Sequence, residues 1–509
     1  MPEPARAVAV ASSFAILTAI SFAACAFLTP VHGLSQNVSS RSLTLEGAIS
    51  LAAENNPEYG VRASDLQTLR WKRREAWASF VPSATVSNYF GYIAGGERQF
   101  GDFTLGTRPA QLASGYSLGL SLSLDGASFL RPGLVDAEEN ATRERVEGAY
   151  LGLIDEVTRR YLAALQADEG LEQALSEVER ARTYVAQAEA QVAVGSATPL
   201  DVRRAEIQQG QAEVQVLQTE NSVVTSRLAL IQTLGADIGL DVSLTTRFDL
   251  FEAGLSAEEL LGLALTENPM LRASEREVSA ARRQTRIVQT QYLPTISLSA
   301  GWSGTVFQAD RIDPLVSGAF SQLSGQFAGC VQNNRVLELL GDPLVSCGAL
   351  DPSDPQVAAA VRADVRKQNQ GFPFGYHAQP LSLSANVSVP LFTGFSRQLQ
   401  IEEARVAASN AERLVRTEEL RLQAEVEAAV RTVQTAQRTA ELQARIREMA
   451  EDELGLAEER FRLGVASSIE LVDAQANLSQ AERDEISAVY DFHVSFAALE
   501  ALVGVPLRD

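Results

Sequence analysis

The sequence is poor in the residues that carry most catalytic and metal-binding chemistry. Its 509 residues include only three histidines, three cysteines, three methionines and three tryptophans. The sequence motifs of serine hydrolases (GxSxG), zinc proteases (HExxH) and phosphate-binding loops with lysine are not found. We therefore expect no enzyme activity, no cofactor and no metal site. Three methionines are also too few to line a path for copper.

Positive charge is scarce as well. The chain has 43 Lys and Arg against 64 Asp and Glu, which gives a formal net charge of −21 at pH 7. Binding of nucleic acid relies on a basic surface that neutralises phosphates. We therefore do not expect nucleic acid as a partner.

The N-terminal segment is a long apolar run preceded by a positive charge. Residues 7–29 are almost entirely apolar and come after Arg6. This pattern predicts a signal peptide over residues 1–33. A membrane anchor is the alternative, because the run is long enough to span a bilayer. Lipid attachment at Cys25 is a further alternative, although Phe22 stands where that motif usually has leucine.

The rest of the chain contains one design twice. Residues 43–57 read LTLEGAISLAAENNP, and residues 255–269 read LSAEELLGLALTENP. The later prolines and glycines then follow at nearly equal spacing. Such a long repeat is a duplicated structural unit rather than a short solenoid module. We predict a first repeat over 34–245 and a second over 246–509.

Each repeat has two segments that alternate between apolar and small polar residues, which predicts strands. The polar face consists of Ser, Thr, Gly and Asn, without the Lys and Glu of a solvated face. It suits the inside of a membrane barrel, and a half-buried sheet in a soluble sandwich is the alternative. Four strands are too few for a single-chain barrel, so several chains would have to share one, and three chains would give 12 strands. The predicted strands are 83–92, 116–125, 295–303 and 380–391.

A long helical hairpin follows each pair of strands. The first is predicted over 133–235, with a turn after Gly195, and the second over 396–503. Apolar residues recur every seven positions in the first, which predicts a left-handed coiled coil. An ordinary structural coiled coil is the alternative for the helices alone. The periodic positions are Tyr150, Val157, Ala164, Leu171, Val178, Val185 and Val192, with Ile154, Tyr161 and Leu175 between them.

The second repeat contains an insert. From Pro82 to Gly126 there are 44 residues, whereas the matching interval in the second repeat has 100. The insert, predicted as an external loop over 304–379, contains Cys330 and Cys347. In an exported chain such a pair predicts a disulfide. A lid, a partner surface and a drifted loop all remain open for it.

The motifs resemble those of one family. In both copies a helix begins after Leu and then Thr or Ser, has Glu two positions later, and ends at Asn-Pro. In both copies the first strand follows an aromatic residue, an apolar residue and Pro. Residues 389–394 (VPLFTG) lead from strand to helix, and the hairpin tips share Gly followed by small residues. The pattern over 43–509 resembles the outer-membrane efflux family, the TolC-like channel-tunnels.

This resemblance implies an α+β membrane protein. The implied assembly is a homotrimer with a 12-stranded outer-membrane β-barrel and a periplasmic α-helical coiled-coil tunnel. It would be the passive exit duct of a tripartite efflux system with an inner-membrane pump and a periplasmic adaptor, exporting small toxic compounds. The exit duct of a type I protein secretion system is an alternative, because the pump selects the cargo. A periplasmic coiled-coil scaffold without a pore is a third.

The resemblance also implies site residues. Acidic side chains after the second hairpin tip, Glu470 and Asp473, would narrow the tunnel as a gate ring, with Asp201 as the counterpart in the first copy. Asp201 has an alternative role in an ion pair with Arg203 or Arg204. A plain explanation is that acidic residues early in a helix stabilise its dipole.

The hairpin tips would contact the adaptor. Glycine is required for such tight turns in any case. Ser468 is the predicted N-cap of the second returning helix. The tip residues are Val194, Gly195 and Ser196 in the first copy and Leu463, Gly464 and Val465 in the second.

Overall fold

The computed structural model describes residues 42–100, 103–254, 256–463 and 465–507. The predicted signal peptide, Cys25 and Gly464 lie outside the described residues. The chain forms two compact units. One comprises the residues up to Pro57 with Leu153–Gly254 and Thr432–Ala498, and the other comprises Glu58–Gly152, Leu255–Arg431 and the residues from Leu499.

The first copy has short helices, strands and then a long hairpin, in the predicted order. Its elements are β1 (Ser42–Leu43), α1 (Leu45–Asn55), α2 (Pro57–Ala78), β2 (Ser83–Ile93), β3 (Gly96–Phe100), β4 (Phe103–Arg108), β5 (Gln111–Leu124), α3 (Gly126–Ala193), α4 (Pro199–Leu234) and β6 (Ser243–Leu244).

The second copy repeats that order around the insert. Its elements are α5 (Ala257–Glu267), α6 (Pro269–Gln289), β7 (Thr295–Ala309), α7 (Asp313–Leu340), α8 (Pro355–Gln368), β8 (His377–Ala378), β9 (Ser382–Ser388), α9 (Ser396–Arg462) and α10 (Ser468–Val503). The expected external loop is therefore mostly regular structure. β7 continues six residues past the expected end, and α7 and α8 fill much of the remainder.

The repeated Asn-Pro motif joins two helices in each copy. Asn56 Nδ2 donates to the carbonyl oxygen of Thr233 at 2.7 Å, at the end of α4. Asn268 Nδ2 donates to the carbonyl oxygen of Leu502 at 2.8 Å, at the end of α10. Terminal carbonyls of a helix have no partner within the helix, so each asparagine satisfies one of them.

A glycine is required beside each asparagine. Gly235 has φ 69° and Gly504 has φ 93°, conformations that other residues rarely adopt. A Cβ on Gly235 would lie 2.4 Å from the carbonyl oxygen of Asn55, and one on Gly504 would lie 2.9 Å from that of Glu267. The two copies therefore use the same joint, built from Asn, Pro and Gly.

The main sheet is antiparallel, in the order β2-β5-β7, with β8 and β9 both paired to β7. Its register aligns Val86 with Leu118 and Leu118 with Trp302, so these side chains share one face. The neighbouring row, Ser87, Ser117 and Ser303, lies on the other face. Among the described residues, β2 and β9 pair on one side only. The sheet thus has an apolar face, a small polar face and two open edges.

The seven-residue spacing describes part of the helical core. Val157 and Ala164 are fully buried and Val178 nearly so, whereas Leu175 is 49% exposed in the single chain. α9 has the same spacing at Val426, Val433 and Ala440, each buried to 1% exposure or less.

Within the described residues, α10 is the one helix long and apolar enough to cross a membrane, by length and composition alone. Much of its hydropathy comes from side chains that pack inside the protein, since Phe492, Phe496 and Leu499 are all fully buried. Phe492 and Phe496 pack around Phe251, with ring centroids 5.1 and 5.0 Å from it. A core helix of this kind passes the same test of composition.

Candidate functional site at the hairpin tips

The two hairpin tips turn with the same backbone hydrogen bonds. Ser196 N donates to the carbonyl oxygen of Gln191, and Val465 N donates to that of Arg460, each at 2.9 Å and each across five residues. Gly195 supplies the positive φ, 79°, that ends the first long helix. The duplication thus preserves the turn in both copies.

Apolar side chains are exposed at both turns. Val194 is 79% exposed, Leu463 is 68% exposed and Val465 is 66% exposed. Solvated turns are usually polar, and clustered exposed apolar side chains mark contact surfaces. Val194 at the first tip, and Leu463 and Val465 at the second, therefore give each hairpin an exposed apolar side chain at its end.

Below the turns, the helices of both hairpins share one core. Tyr184 of α3 is 1% exposed and packs edge-on against Phe461 of α9, with ring centroids 5.9 Å apart. Burial raises the pKa of the Tyr184 phenol. The remaining buried members come from all four helices: Ala188, Ala205, Ala450, Leu454, Leu471, Ala474, Leu478 and Ala481. The core fixes the two tips side by side in one chain.

Asp201 lies at the centre of a polar cluster on this core. Its Oδ2 accepts from Thr198 N at 2.8 Å and from Thr198 Oγ1 at 2.7 Å, which caps the start of α4. Its Oδ1 accepts from Ser468 Oγ of the other hairpin at 2.5 Å. One carboxylate therefore caps its own helix and binds the neighbouring tip.

Arg204 completes this cluster. Its Nη1 donates to Ser468 Oγ at 3.3 Å and lies 3.7 Å from Asp201 Oδ1. Arg203 points elsewhere and pairs with Glu206 on its own helix, at 2.5 Å. Of the two arginines that the sequence offered as partners of Asp201, the structure brings Arg204 to it.

The hydrogen bonds from Ser468 and Thr198 lower the pKa of Asp201 to about 2. The carboxylate is thus charged throughout the physiological range. Because the folded-state pKa lies below the ordinary value of 3.8, the cluster stabilises the fold fully above about pH 4. This contribution is lost as the pH falls through 2.

At the second tip, the expected cap is shifted by one residue. Ser467 Oγ accepts from Glu470 N at 3.3 Å, so Ser467 caps α10. Ser468 Oγ is left to bind Asp201, so the predicted role of Ser468 as the cap is wrong. The Glu470 carboxylate lies 3.5 Å from Arg460 Nη2, with both side chains at least half exposed.

Asp473 differs from the other two acidic residues. It is exposed, and in the described part of the chain no Lys or Arg nitrogen lies within 4 Å of its carboxylate. It follows Glu470 by three positions, which places the two carboxylates on neighbouring parts of one helix face. Of the three predicted gate residues, Asp473 therefore has the least compensated charge.

The two insert cysteines are bonded in the structure, with Sγ atoms 1.98 Å apart. Asn334 supports this loop, since its Nδ2 donates to the carbonyl oxygen of Val345 at 2.6 Å and its Oδ1 accepts from Val345 N at 2.9 Å. Among the described residues, no group of three or more His, Cys, Asp or Glu side chains is arranged to hold a metal ion.

Ser468 and Arg460 have roles that the sequence did not reveal. A serine at a helix start is normally explained as a cap, and a basic residue in the last turn of α9 as a partner of the helix dipole. The acidic first turn of one helix and the basic last turn of the preceding one are a signal for such a pair. The Ser468 bond depends on how two hairpins 267 residues apart pack together, which local patterns do not encode.

Comparison with known proteins identifies the family of this chain. The family model for outer membrane efflux proteins matches residues 48–236 and 352–505. The cobalt-zinc-cadmium resistance protein CzcC of Cupriavidus metallidurans is 21% identical over 290 residues, which is 55% of this chain. That match spans 65% of the relative's length.

Solved structures show the same fold. The outer membrane protein VceC of Vibrio cholerae superposes with a TM-score of 0.63 and 17% identity, covering 91% of this chain and 97% of that one. The open state of the MtrE outer membrane channel of Neisseria gonorrhoeae gives a TM-score of 0.65 and 16% identity, covering 91% and 89%.

The duplicated sheet and hairpins define the fold of a channel-tunnel. The chain belongs to the outer membrane efflux protein family, because the family model covers well over half of it. It is an outer-membrane protein with a helical tunnel in the periplasm. Members of this family are channels rather than enzymes.

Proposed function

We propose that this protein is the passive exit duct of a tripartite efflux system and exports small toxic compounds. The observation that carries the proposal is the sheet, which has an exposed apolar face, a neutral polar face and two open edges. Open strand edges do not face lipid, because unpaired backbone groups are too costly there. Edges β2 and β9 therefore pair with neighbouring copies.

The proposed assembly is a homotrimer. Three copies of a four-strand wall close one barrel of 12 strands, within the range known for outer-membrane barrels. The apolar face, with Val86, Leu118 and Trp302, then contacts lipid, and the serine rows line the lumen. The named resistance of the CzcC relative to cobalt, zinc and cadmium supports export of small toxic substances over protein secretion.

The tips form the proposed gate and docking site. Three copies of Asp473 and Glu470 surround the aperture, and Arg460 offsets the charge of Glu470, so Asp473 contributes most of the field. Such a ring attracts cations. The apolar ends at Val194, Leu463 and Val465 fit the helical hairpin of a periplasmic adaptor, which links the duct to an inner-membrane pump.

The test is single-channel conductance of the detergent-purified protein in planar bilayers, with the mass of the same sample measured in parallel. A trimer mass together with discrete ion conductance is expected. A monomer that stays soluble without detergent and conducts no current would instead support a periplasmic scaffold.

A further inference from the structure

The insert ends in an aromatic segment that folds back onto the sheet. We call Phe372–Tyr376 (Phe-Pro-Phe-Gly-Tyr) the aromatic strap. The Tyr376 ring packs edge-on against Tyr116 of β5, with centroids 5.0 Å apart. Phe374 packs edge-on against Phe90 of β2 at 6.3 Å. The strap therefore reaches across β5 to β2.

The strap is fixed at its root. Asn369 is buried, and its side chain pairs with the backbone of Ala309 at the end of β7, at 2.7 and 3.0 Å. A Cβ on Gly371 would lie 3.1 Å from Val306 Cγ2, and one on Gly375 would lie 2.5 Å from the carbonyl oxygen of Gly371. A side chain at Gly375 would therefore force the strap to shift, and one at Gly371 would be tight against β7.

The strap covers the apolar face of the sheet. Its contacts Asn88, Phe90, Ser114 and Tyr116 are even-numbered positions of β2 and β5, like Val86 and Leu118, and side chains two residues apart share a face. The pairing of Asn88 with Tyr116 and of Phe90 with Ser114 places them in adjacent rows. This is the face opposite to the serine rows.

The strap also resolves a polar interruption in that face. Asn88 and Ser114 stand among apolar rows, where an unpaired polar group in contact with acyl chains would be unfavourable. Asn88 Nδ2 donates to the Tyr376 hydroxyl at 3.3 Å, and the hydroxyl lies 3.2 Å from Ser114 Oγ. Tyr376 therefore satisfies both groups and turns its ring toward the sheet.

The height of the strap on the wall agrees with the edge of a bilayer. β5 continues from Ser114 to Leu124. At about 3.4 Å per residue and a tilt of about 40°, this stretch rises about 26 Å. The apolar band of an outer-membrane barrel is about 25 Å tall. The strap thus lies one membrane thickness above the end of the strand.

We propose that the aromatic strap is a lipid anchor at the outer-leaflet interface, with Phe374 in contact with acyl chains next to the headgroups. The inference rests on the proposed function, which makes the apolar face the lipid-facing one. The exposed aromatics at this level are continuous with that face: Phe90 (60%), Tyr92 (68%), Trp302 (50%) and Phe374 (62%). Aromatic side chains favour this layer of a membrane. The root of the insert is then fixed outside the pore wall.

The test uses single-tryptophan variants of the full-length protein in proteoliposomes. All carry Trp71→Phe and Trp77→Phe. The first retains Trp302 and reports on the apolar face itself. The second carries Phe374→Trp with Trp302→Phe. The matched control carries Tyr89→Trp with Trp302→Phe, because Tyr89 is exposed at the same level but pairs with Gly115 on the opposite face.

Emission is compared in brominated and ordinary lipid, and with an aqueous quencher. We expect brominated lipid to quench Phe374→Trp by the same fraction as Trp302, and the aqueous quencher to act on Tyr89→Trp. If lipid quenches Trp302 while only the aqueous quencher acts on Phe374→Trp, the anchor is wrong and the proposed function stands. If lipid does not quench Trp302, the membrane-spanning sheet and the anchor are both wrong.

Discussion

The two hairpin tips share a backbone and differ in their charges. In the first, Asp201 is bound by Thr198 and by Ser468, with Arg204 beside it. In the second, Glu470 faces Arg460 across 3.5 Å, and Asp473 is exposed. The first tip uses its carboxylate to hold two hairpins together, whereas the second presents its carboxylates to solvent.

This difference contrasts with the joints, where the copies agree. Asn56 and Asn268 make equivalent bonds, and Gly235 and Gly504 meet the same close approach. The joint has the same backbone geometry in both copies, so we expect a larger residue at either glycine to strain it. Charges at the tips are not needed for the turn itself, and the copies have been free to use them differently.

The largest expected effect comes from breaking the joint that both copies share. Gly235→Ala forces a Cβ to 2.4 Å from the Asn55 carbonyl oxygen at a positive φ. We expect a loss of about 1–3 kcal/mol of stability, the usual magnitude for a strained backbone position. The measurement is the thermal midpoint of the detergent-purified protein.

Gly210→Ala is the matched control for the joint. Gly210 lies inside α4, the helix that ends just before Gly235, and nothing lies within 4 Å of its ideal Cβ. This change should stabilise the helix by about 1 kcal/mol, since alanine is the better helix former. Equal midpoints for the two variants would show that the joint is not under steric constraint.

Asp201→Asn should lower the stability of the protein, because the first tip uses this carboxylate to hold the two hairpins together. The variant loses the charged acceptor for Thr198, Ser468 and Arg204, and the loss of such a cap costs about 1 kcal/mol. Because the pKa of Asp201 is lowered to about 2, the difference from the native protein should be constant from pH 7 to about 4 and shrink below that. Thermal midpoints measured across this range test both statements.

Glu206→Gln is the control for Asp201→Asn, because Glu206 pairs with the exposed Arg203 on the same helix. Exposed pairs of this kind contribute roughly 0–1 kcal/mol. If Glu206→Gln lost as much stability as Asp201→Asn, with the same pH dependence, the cluster at Asp201 would have no special part in joining the hairpins.

Arg460→Gln should increase the negative charge at the second tip. The substitution removes the cation 3.5 Å from Glu470 and leaves both carboxylates uncompensated. We expect greater cation selectivity of the channel, measured as the reversal potential in a salt gradient. Arg462→Gln, at the end of the same helix, is the control. Lower selectivity in Arg460→Gln would contradict the acidic field assigned to this tip.

The smallest effect is expected in the insert. Reduction of the Cys330–Cys347 disulfide, or replacement of both cysteines by serine, should leave conductance unchanged, because the proposed lipid anchor places the root of the insert outside the pore wall. Single-channel recordings before and after reduction test this. A change in conductance on reduction would make the insert part of the pore.

Much of the architecture was predictable because it follows from repeated local patterns. Alternation marked the strands, the Asn-Pro motif marked a helix in each copy, and the duplicated order indicated the family. The insert was less accessible, because α7 has 21 uncharged residues, 314–334, and little apolar period to distinguish helix from loop. The strap depends on contacts between Tyr376 and Asn88, 288 residues apart.

The resemblance to the family supplied the three acidic residues of the candidate site, and their role as a gate stays a prediction. Asp201, Glu470 and Asp473 were identified by position after each tip. Which of them is compensated depends on partners from another helix, Ser468 and Arg460. Local sequence shows a helix start with an acidic residue in each case, so it does not distinguish a bound carboxylate from an exposed one.

The most direct test of the account is the reversal potential of two variants side by side in planar bilayers. Asp473→Asn should reduce cation selectivity, because it removes the exposed carboxylate from the proposed ring. Asp201→Asn, an equal change in charge at the other tip, should retain selectivity and lose stability. Equal selectivity in Asp473→Asn and the native channel would contradict the assignment of the second tip as the gate.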